Sequence, residues 1–345
     1  MKINSKKIKS LFLLSLIGSA STKEELQNQT GISYPAEINS TEMFKSINRS
    51  WKFTANDEKI ADKVPGKNLL AAGSPILVGI NGPNGTLWNK CTGSFAMVNT
   101  NSSNCENGND YGGFLTSFFC PPPVFSVTPP PEVVNWDSSV SLGKLYYEPT
   151  MYWNRSLDDY WHLTAEYVYI SADLTSVKLF PFVPKTTDEG TTDMIPVISS
   201  SDPTSPGFPV CVYGAASGTR CGNIAEIDLN LTVPNPIFKE SSDLMLNSLN
   251  KVDLGTNGLL SEDIGAPVYA ETQIGERTLA QALGHVSVID NNDPQHQSFY
   301  YTPLEQVLDG ISSDHYCTYS LLTYNETEAS KWQELLTQVE IPPKK

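Results

Sequence analysis

Short apolar runs separated by turn residues dominate the chain from residue 75 onward. They fall at 75–80, 95–98, 113–119, 144–147, 167–170 and 177–183, and resume at 210–213, 223–231, 266–269 and 282–289. Runs of this length, bounded by Gly, Pro, Asn, Asp and Ser, predict antiparallel strands of a barrel or sandwich. Helical spacing is rare. It is confined to 303–311, where Leu304, Val307 and Leu308 share a face, to 328–339, with Trp332, Leu335, Leu336 and Val339 on one side, and to a short stretch at 37–51. Residues 184–208 are rich in Thr, Asp, Ser and Pro, which predicts a crossing between two subdomains. The triple prolines at 121–123 and 129–131 bracket a stiff loop. The predicted organisation is a leader over 1–20, a polar extension over 21–68, a first β-unit over 69–185, a linker over 186–208, a second β-unit with a helix over 209–325, and a helical tail over 326–345.

Composition supports strands joined by turns, with 23 Gly and 24 Pro in 345 residues. The net charge is −15. Four lysines of the leader, Lys2, Lys6, Lys7 and Lys9, face no acid. Without them 19 basic residues oppose 38 acidic ones, a balance that repels a polyanion and argues against nucleic acid as a partner. These lysines precede the apolar run 11–17 and the small residues Gly18, Ser19 and Ala20, the layout of a secretory signal. That run is too short to span a bilayer, and no later run is long enough. An even number of cysteines, six, fits an oxidising compartment. Asn28, Asn39, Asn48, Asn84, Asn101, Asn154, Asn230 and Asn325 each begin an Asn-x-Ser/Thr acceptor sequence. Together these features predict a secreted, soluble glycoprotein, monomeric and without a membrane span once the leader is removed.

Four segments, in order, carry a family resemblance. Cys91-Thr-Gly-Ser-Phe95 is followed by Gly113-Phe-Leu-Thr-Ser-Phe-Phe-Cys120. Glu166-Tyr-Val-Tyr-Ile170 comes next. Val210-Cys-Val-Tyr-Gly214 then leads through Ser217-Gly-Thr-Arg-Cys221-Gly222, the most specific match. The last is Glu262-Asp-Ile-Gly-Ala-Pro-Val268, with Gly284-His-Val-Ser287 and Phe299-Tyr-Tyr-Thr-Pro303 after it. The chain resembles the chymotrypsin-like (trypsin-like) serine proteases, and within them the streptogrisin-like branch, over about residues 70–320. The resemblance implies an all-β fold of two antiparallel six-stranded β-barrels with a C-terminal helix. It also implies bridges between Cys91 and Cys120 and between Cys211 and Cys221, with Cys105 and Cys317 left to pair with each other or stay free.

The same resemblance places Phe119 where the family has its general-base His, Glu166 where it has Asp, and Ile264 where it has the nucleophilic Ser. Asp173 competes with Glu166 for the acidic position. Glu262 replaces a glycine of the turn that forms the oxyanion hole. A phenyl ring holds no titratable nitrogen and a sec-butyl chain no nucleophile, so no pKa shift rescues either. Loss of a triad member lowers kcat by roughly 10⁴–10⁶-fold. The implied function is a non-catalytic protease homologue that binds a protein or peptide, with no cofactor and no metal. Two alternatives stand beside it. One is an active endopeptidase whose site is rebuilt, for instance from Ser261 and one of His162, His285, His296 and His315. The other is a glycosylated structural or adhesive β-protein.

Overall fold

The computed structural model describes residues 32–33 and the span 69–324, except 83–84, 101–111, 121–129, 137–139, 154–159, 187–191, 204, 236–242, 256, 275–276, 291–296 and 316–317. The predicted leader, most of the extension and the tail, with the helices expected at 37–51 and 328–339, lie outside the described residues. So do Cys105, Cys317, His296 and every predicted glycosylation site but Asn230, which is exposed.

The described residues are mostly β-strand, with a single α-helix. In chain order the strands are β1 (Ile32–Ser33), β2 (Leu69–Ala71), β3 (Pro75–Gly82), β4 (Gly85–Thr92), β5 (Ala96–Asn99), β6 (Gly112–Thr116), β7 (Glu132–Asn135), β8 (Ser141–Tyr147), β9 (Met151–Trp153), β10 (Trp161–Leu163) and β11 (Val168–Ala172). They continue with β12 (Lys178–Phe180), β13 (Phe182–Thr186), β14 (Thr192–Ser200), β15 (Pro209–Gly214), β16 (Gly218–Val233), β17 (Leu244–Asp253), β18 (Pro267–Ile274), β19 (Arg277–Asp290), β20 (Ser298–Pro303) and β21 (Tyr319–Leu321). A 3₁₀ turn covers Ser261–Asp263, and the single described α-helix, α1, covers Leu304–His315.

The first sheet runs β21-β5-β6-β11-β8-β7-β3-β4. In the second, β19, β18, β15, β16, β17 and β20 pair in sequence, and β20 pairs back to β19. This closes a ring of six antiparallel strands. Ring closure leaves the strands no free edge, which is how a small antiparallel sheet covers its backbone polar groups. The expected count of six therefore describes the second unit. The first is an eight-stranded path whose outermost strands, β21 and β4, do not pair with each other among the described residues.

Two departures from the sequence reading have local causes. The run at 177–183 is two strands, β12 and β13, separated by Pro181, which has no N–H to continue a ladder. The predicted linker 186–208 contains the nine-residue β14, which lies against β19 and buries Ile195 and Val197. Pro196 and the surrounding Thr and Ser dilute that alternation in the sequence.

Helix α1 extends past the predicted 311 to His315 and buries Leu304, Val307 and Ile311 on one face. No helix among the described residues is long and apolar enough to cross a membrane. The main core is aliphatic and aromatic and continuous between the sheets: Phe114, Val168 and Ile170 from the first and Val212, Val268, Val286 and Phe299 from the second are all nearly inaccessible to water.

Candidate functional site

Phe119, Glu166 and Ile264, the residues the resemblance matches to the family's catalytic positions, lie where the two sheets meet. Cys91 lies near the end of β4, and Cys120 follows the turn after β6. The structure bridges them, with Cα atoms 5.8 Å apart. That bridge fixes the turn Ser117-Phe118-Phe119. Both phenylalanines are buried at 6% exposure, and Phe119 N–H donates to Ser117 Oγ at 3.0 Å. A second bridge joins Cys211 and Cys221 across the β15–β16 hairpin, where the two are register partners with Cα atoms 4.0 Å apart. Replacing Cys91 and Cys120 together by alanine is expected to lower stability by about 2–4 kcal/mol, measured by urea unfolding under oxidising conditions. An unchanged midpoint would contradict this.

The turn 261–265 packs directly on this region. Thr92 N–H donates to the Ile264 carbonyl at 3.0 Å, and Thr92 Oγ1 donates to the Glu262 carbonyl at 3.0 Å. Ile264 is fully buried and belongs to the same apolar core as Phe118, Phe119 and Cys91. Its own N–H turns back onto the Ser261 carbonyl at 3.4 Å, and Gly265 N–H donates to the Val286 carbonyl at 2.8 Å. An oxyanion hole needs backbone N–H groups aimed at an empty site; of the two matched positions, Glu262 and Ile264, the Ile264 N–H is spent on a carbonyl.

Asp263 anchors the turn from beneath. Its carboxylate accepts from Ala216 N–H at 2.8 Å, Leu260 N–H at 2.9 Å, Ser217 N–H at 3.3 Å and the Ser217 hydroxyl. Burial raises its pKa, and these hydrogen bonds offset only part of that. Gly214 makes room for it, because a Cβ there would overlap the carboxylate.

Glu166 sits in the bend that carries the chain from β10, in the second sheet, to β11, in the first. It is 2% exposed. Oε1 accepts from Ser117 Oγ and from Phe118 N–H, both at 2.6 Å. Oε2 accepts from His285 Nε2 at 2.8 Å, Thr302 Oγ1 at 3.0 Å and the Ser287 hydroxyl. Burial pushes the carboxyl pKa up, but the facing His285 charge and the hydrogen bonds from His285, Ser117 and Ser287 outweigh it, so the group lies below its ordinary value. Asp173, the competing candidate, instead closes a surface turn through Thr175 and Ser176.

Sequence reasoning does not reach the partners of Glu166. His285 and Ser287 sit two apart in β19, so they face the same side of a strand whose neighbours Leu283, Val286 and Val288 are apolar. Two inward polar residues at that spacing are the available signal.

The other described histidines are held elsewhere. His162 stacks on Tyr152 with centroids 5.3 Å apart, and His315 meets the Glu148 carbonyl at 3.1 Å. Ser261 Oγ donates to Glu262 Oε2 at 3.0 Å, and no imidazole bonds to it among the described residues. Cys211, Cys221 and Glu271 cluster closely enough to suggest a metal, but the two sulfurs are already joined to each other. A cleft of about 770 Å³ opens beside α1, lined by Asp202, Asp228, Asn250, Glu305 and Asp309 among others. None of Phe119, Glu166 and Ile264 lines it.

No protein-family model matches the chain, and no curated protein matches it by sequence. Solved structures similar to it include Thermobifida fusca protease A, at 17% identity and a TM-score of 0.44, covering 74% of this chain and 100% of that one. Cellulomonas bogoriensis chymotrypsin is similar at 16% identity and a TM-score of 0.46, with the same coverage. A glutamic-acid-specific serine protease is similar at 14% identity and 0.44, covering 70% of this chain and 96% of that one. At such identities and TM-scores the likeness says nothing about activity in this chain. The chain is all-β and, among solved structures, resembles chymotrypsin-like bacterial serine proteases.

Proposed function

We propose that this chain is a secreted, non-catalytic homologue of the chymotrypsin-like proteases that acts by binding a protein or peptide. One observation carries the reading. The positions matched to base and nucleophile hold Phe119 and Ile264, both buried in the core, while both oxygens of Glu166 are occupied by other donors. Proton transfer to an imidazole and attack by a hydroxyl have no groups to perform them there. Burying two bulky apolar side chains at such positions contributes roughly 1.5–3 kcal/mol each, which favours a filled site over an open one.

Secretion is supported by the signal-like leader, the two described bridges and the acceptor sequences for glycosylation. The acidic balance favours solubility in extracellular fluid and disfavours nucleic acid. The test is turnover. The purified protein, incubated with casein and with a mixed peptide library, should release fragments no faster than buffer alone. Sustained, enzyme-proportional cleavage by a preparation free of contaminating protease would end the non-catalytic reading.

A further inference from the structure

Glu166 does something that the loss of catalysis leaves unexplained. It is an anion in the interior, and removing a carboxylate from water costs several kcal/mol unless it is fully paired. Its two oxygens divide their partners by sheet. Oε1 takes both of its donors from the turn after β6, in the first sheet, and Oε2 takes all three of its donors from β19 and β20, in the second. The donors come from residues separated from Glu166 by 48 and 49 positions on one side and by 119, 121 and 136 on the other. Ser287 Oγ and Thr302 Oγ1 also lie 2.7 Å apart, close enough for one to donate to the other in place of Oε2. The second-sheet donors thus form one connected group around a single oxygen.

Among these partners Ser117, Ser287, Thr302 and the Phe118 amide are neutral, and His285 is the titratable one. The ring of His285 is fully buried, and its Nδ1 has no partner among the described residues, so Glu166 is what holds it. We propose that Glu166 is an acid-releasable clamp between the two sheets, with His285 setting the pH at which it releases. The proposal is independent of whether the chain hydrolyses anything.

The direction follows from the charges. A carboxyl held below its ordinary value of 4.5 favours the fold when ionised. Its contribution is complete above that value and is lost as pH falls through the lower, folded-state value. Protonation turns one oxygen from an acceptor into a donor facing other donors, so one sheet loses its hold. Without His285 the attraction that offsets burial is gone, and release moves to higher pH.

Three proteins test this: the wild type, Glu166→Gln and His285→Gln. Stability is measured by urea unfolding from pH 3 to pH 7, and the Glu166 carboxyl is followed by carbon NMR. The wild-type carboxyl should titrate below 4.5, together with loss of exchange protection on one side of the clamp, at the Phe118 amide or the His285 ring N–H that bond to it. His285→Gln should move the acid limb up by about one pH unit or more, a tenfold change in proton affinity. Glu166→Gln should lack that limb. Coincident acid limbs in all three, or a wild-type Glu166 titrating at or above 4.5, would overturn the clamp. If neither variant folds, the wild-type NMR titration still decides it, because a carboxyl that titrates with protection kept at both the Phe118 amide and the His285 ring N–H contradicts release.

Discussion

Gly265→Ala is expected to destabilise the protein by about 2–5 kcal/mol. Gly265 has φ = +87°, a region where an L side chain pays about 1–2 kcal/mol. A Cβ there would also press into Thr116 Oγ1 and the Thr92 carbonyl, which are hydrogen-bonded to each other, and would lie 3.2 Å from Ser117 N. These are buried and hydrogen-bonded, so relief requires the turn to lift off the first sheet. Gly207 provides the control. Its φ is +86°, but a Cβ at that position would meet nothing within 4 Å, so Gly207→Ala should show the backbone penalty alone. Urea unfolding of the two variants separates strain from collision. Equal losses would mean that the turn does not bear on Thr92 and Thr116 as described.

Introducing one catalytic group is expected to confer no activity. Ile264→Ser supplies a hydroxyl, but the matched base position remains Phe119, and the Ile264 N–H remains bonded within its own turn. An unassisted serine lies roughly 10⁴–10⁶-fold below a complete triad, which is at background in a peptide assay. Phe119→His added to Ile264→Ser supplies an imidazole as well. Both Glu166 oxygens are already taken, Oε2 by three donors, so the new ring lacks the carboxylate that would orient it. Fluorophosphonate labelling of the single variant Ile264→Ser would contradict this account, since it would require an existing base beside the new hydroxyl.

Much of the fold is legible in the sequence because its causes are local. The run at 210–213 is β15, buried from Val210 to Gly214, and the spacing of Leu304, Val307 and Leu308 falls in α1. Both cysteine pairs that the family resemblance implies are bridged. Less is visible where the cause is distant. Trp161, His162 and Leu163 form a strand that runs parallel to β17, and nothing in that tripeptide marks its partner. The cluster around Glu166 is hidden for the same reason. His285, Ser287 and Thr302 are each unremarkable in sequence, and only the closing of β19 on β20 brings them to one carboxylate. Phe119 and Ile264 can be picked out from their family-like flanking residues, whereas their burial depends on the turn from 261 to 265 meeting the turn after β6.

The central claim is that the chain has no activated nucleophile. Its most direct test is exposure of the purified, unmodified protein to a fluorophosphonate probe, read by intact mass and compared with a Ser261→Ala variant. The account predicts no adduct on either protein, under conditions that label a competent serine protease to completion. A stoichiometric adduct on the unmodified protein, absent from Ser261→Ala, would contradict it and would show a relocated active site three residues before Ile264.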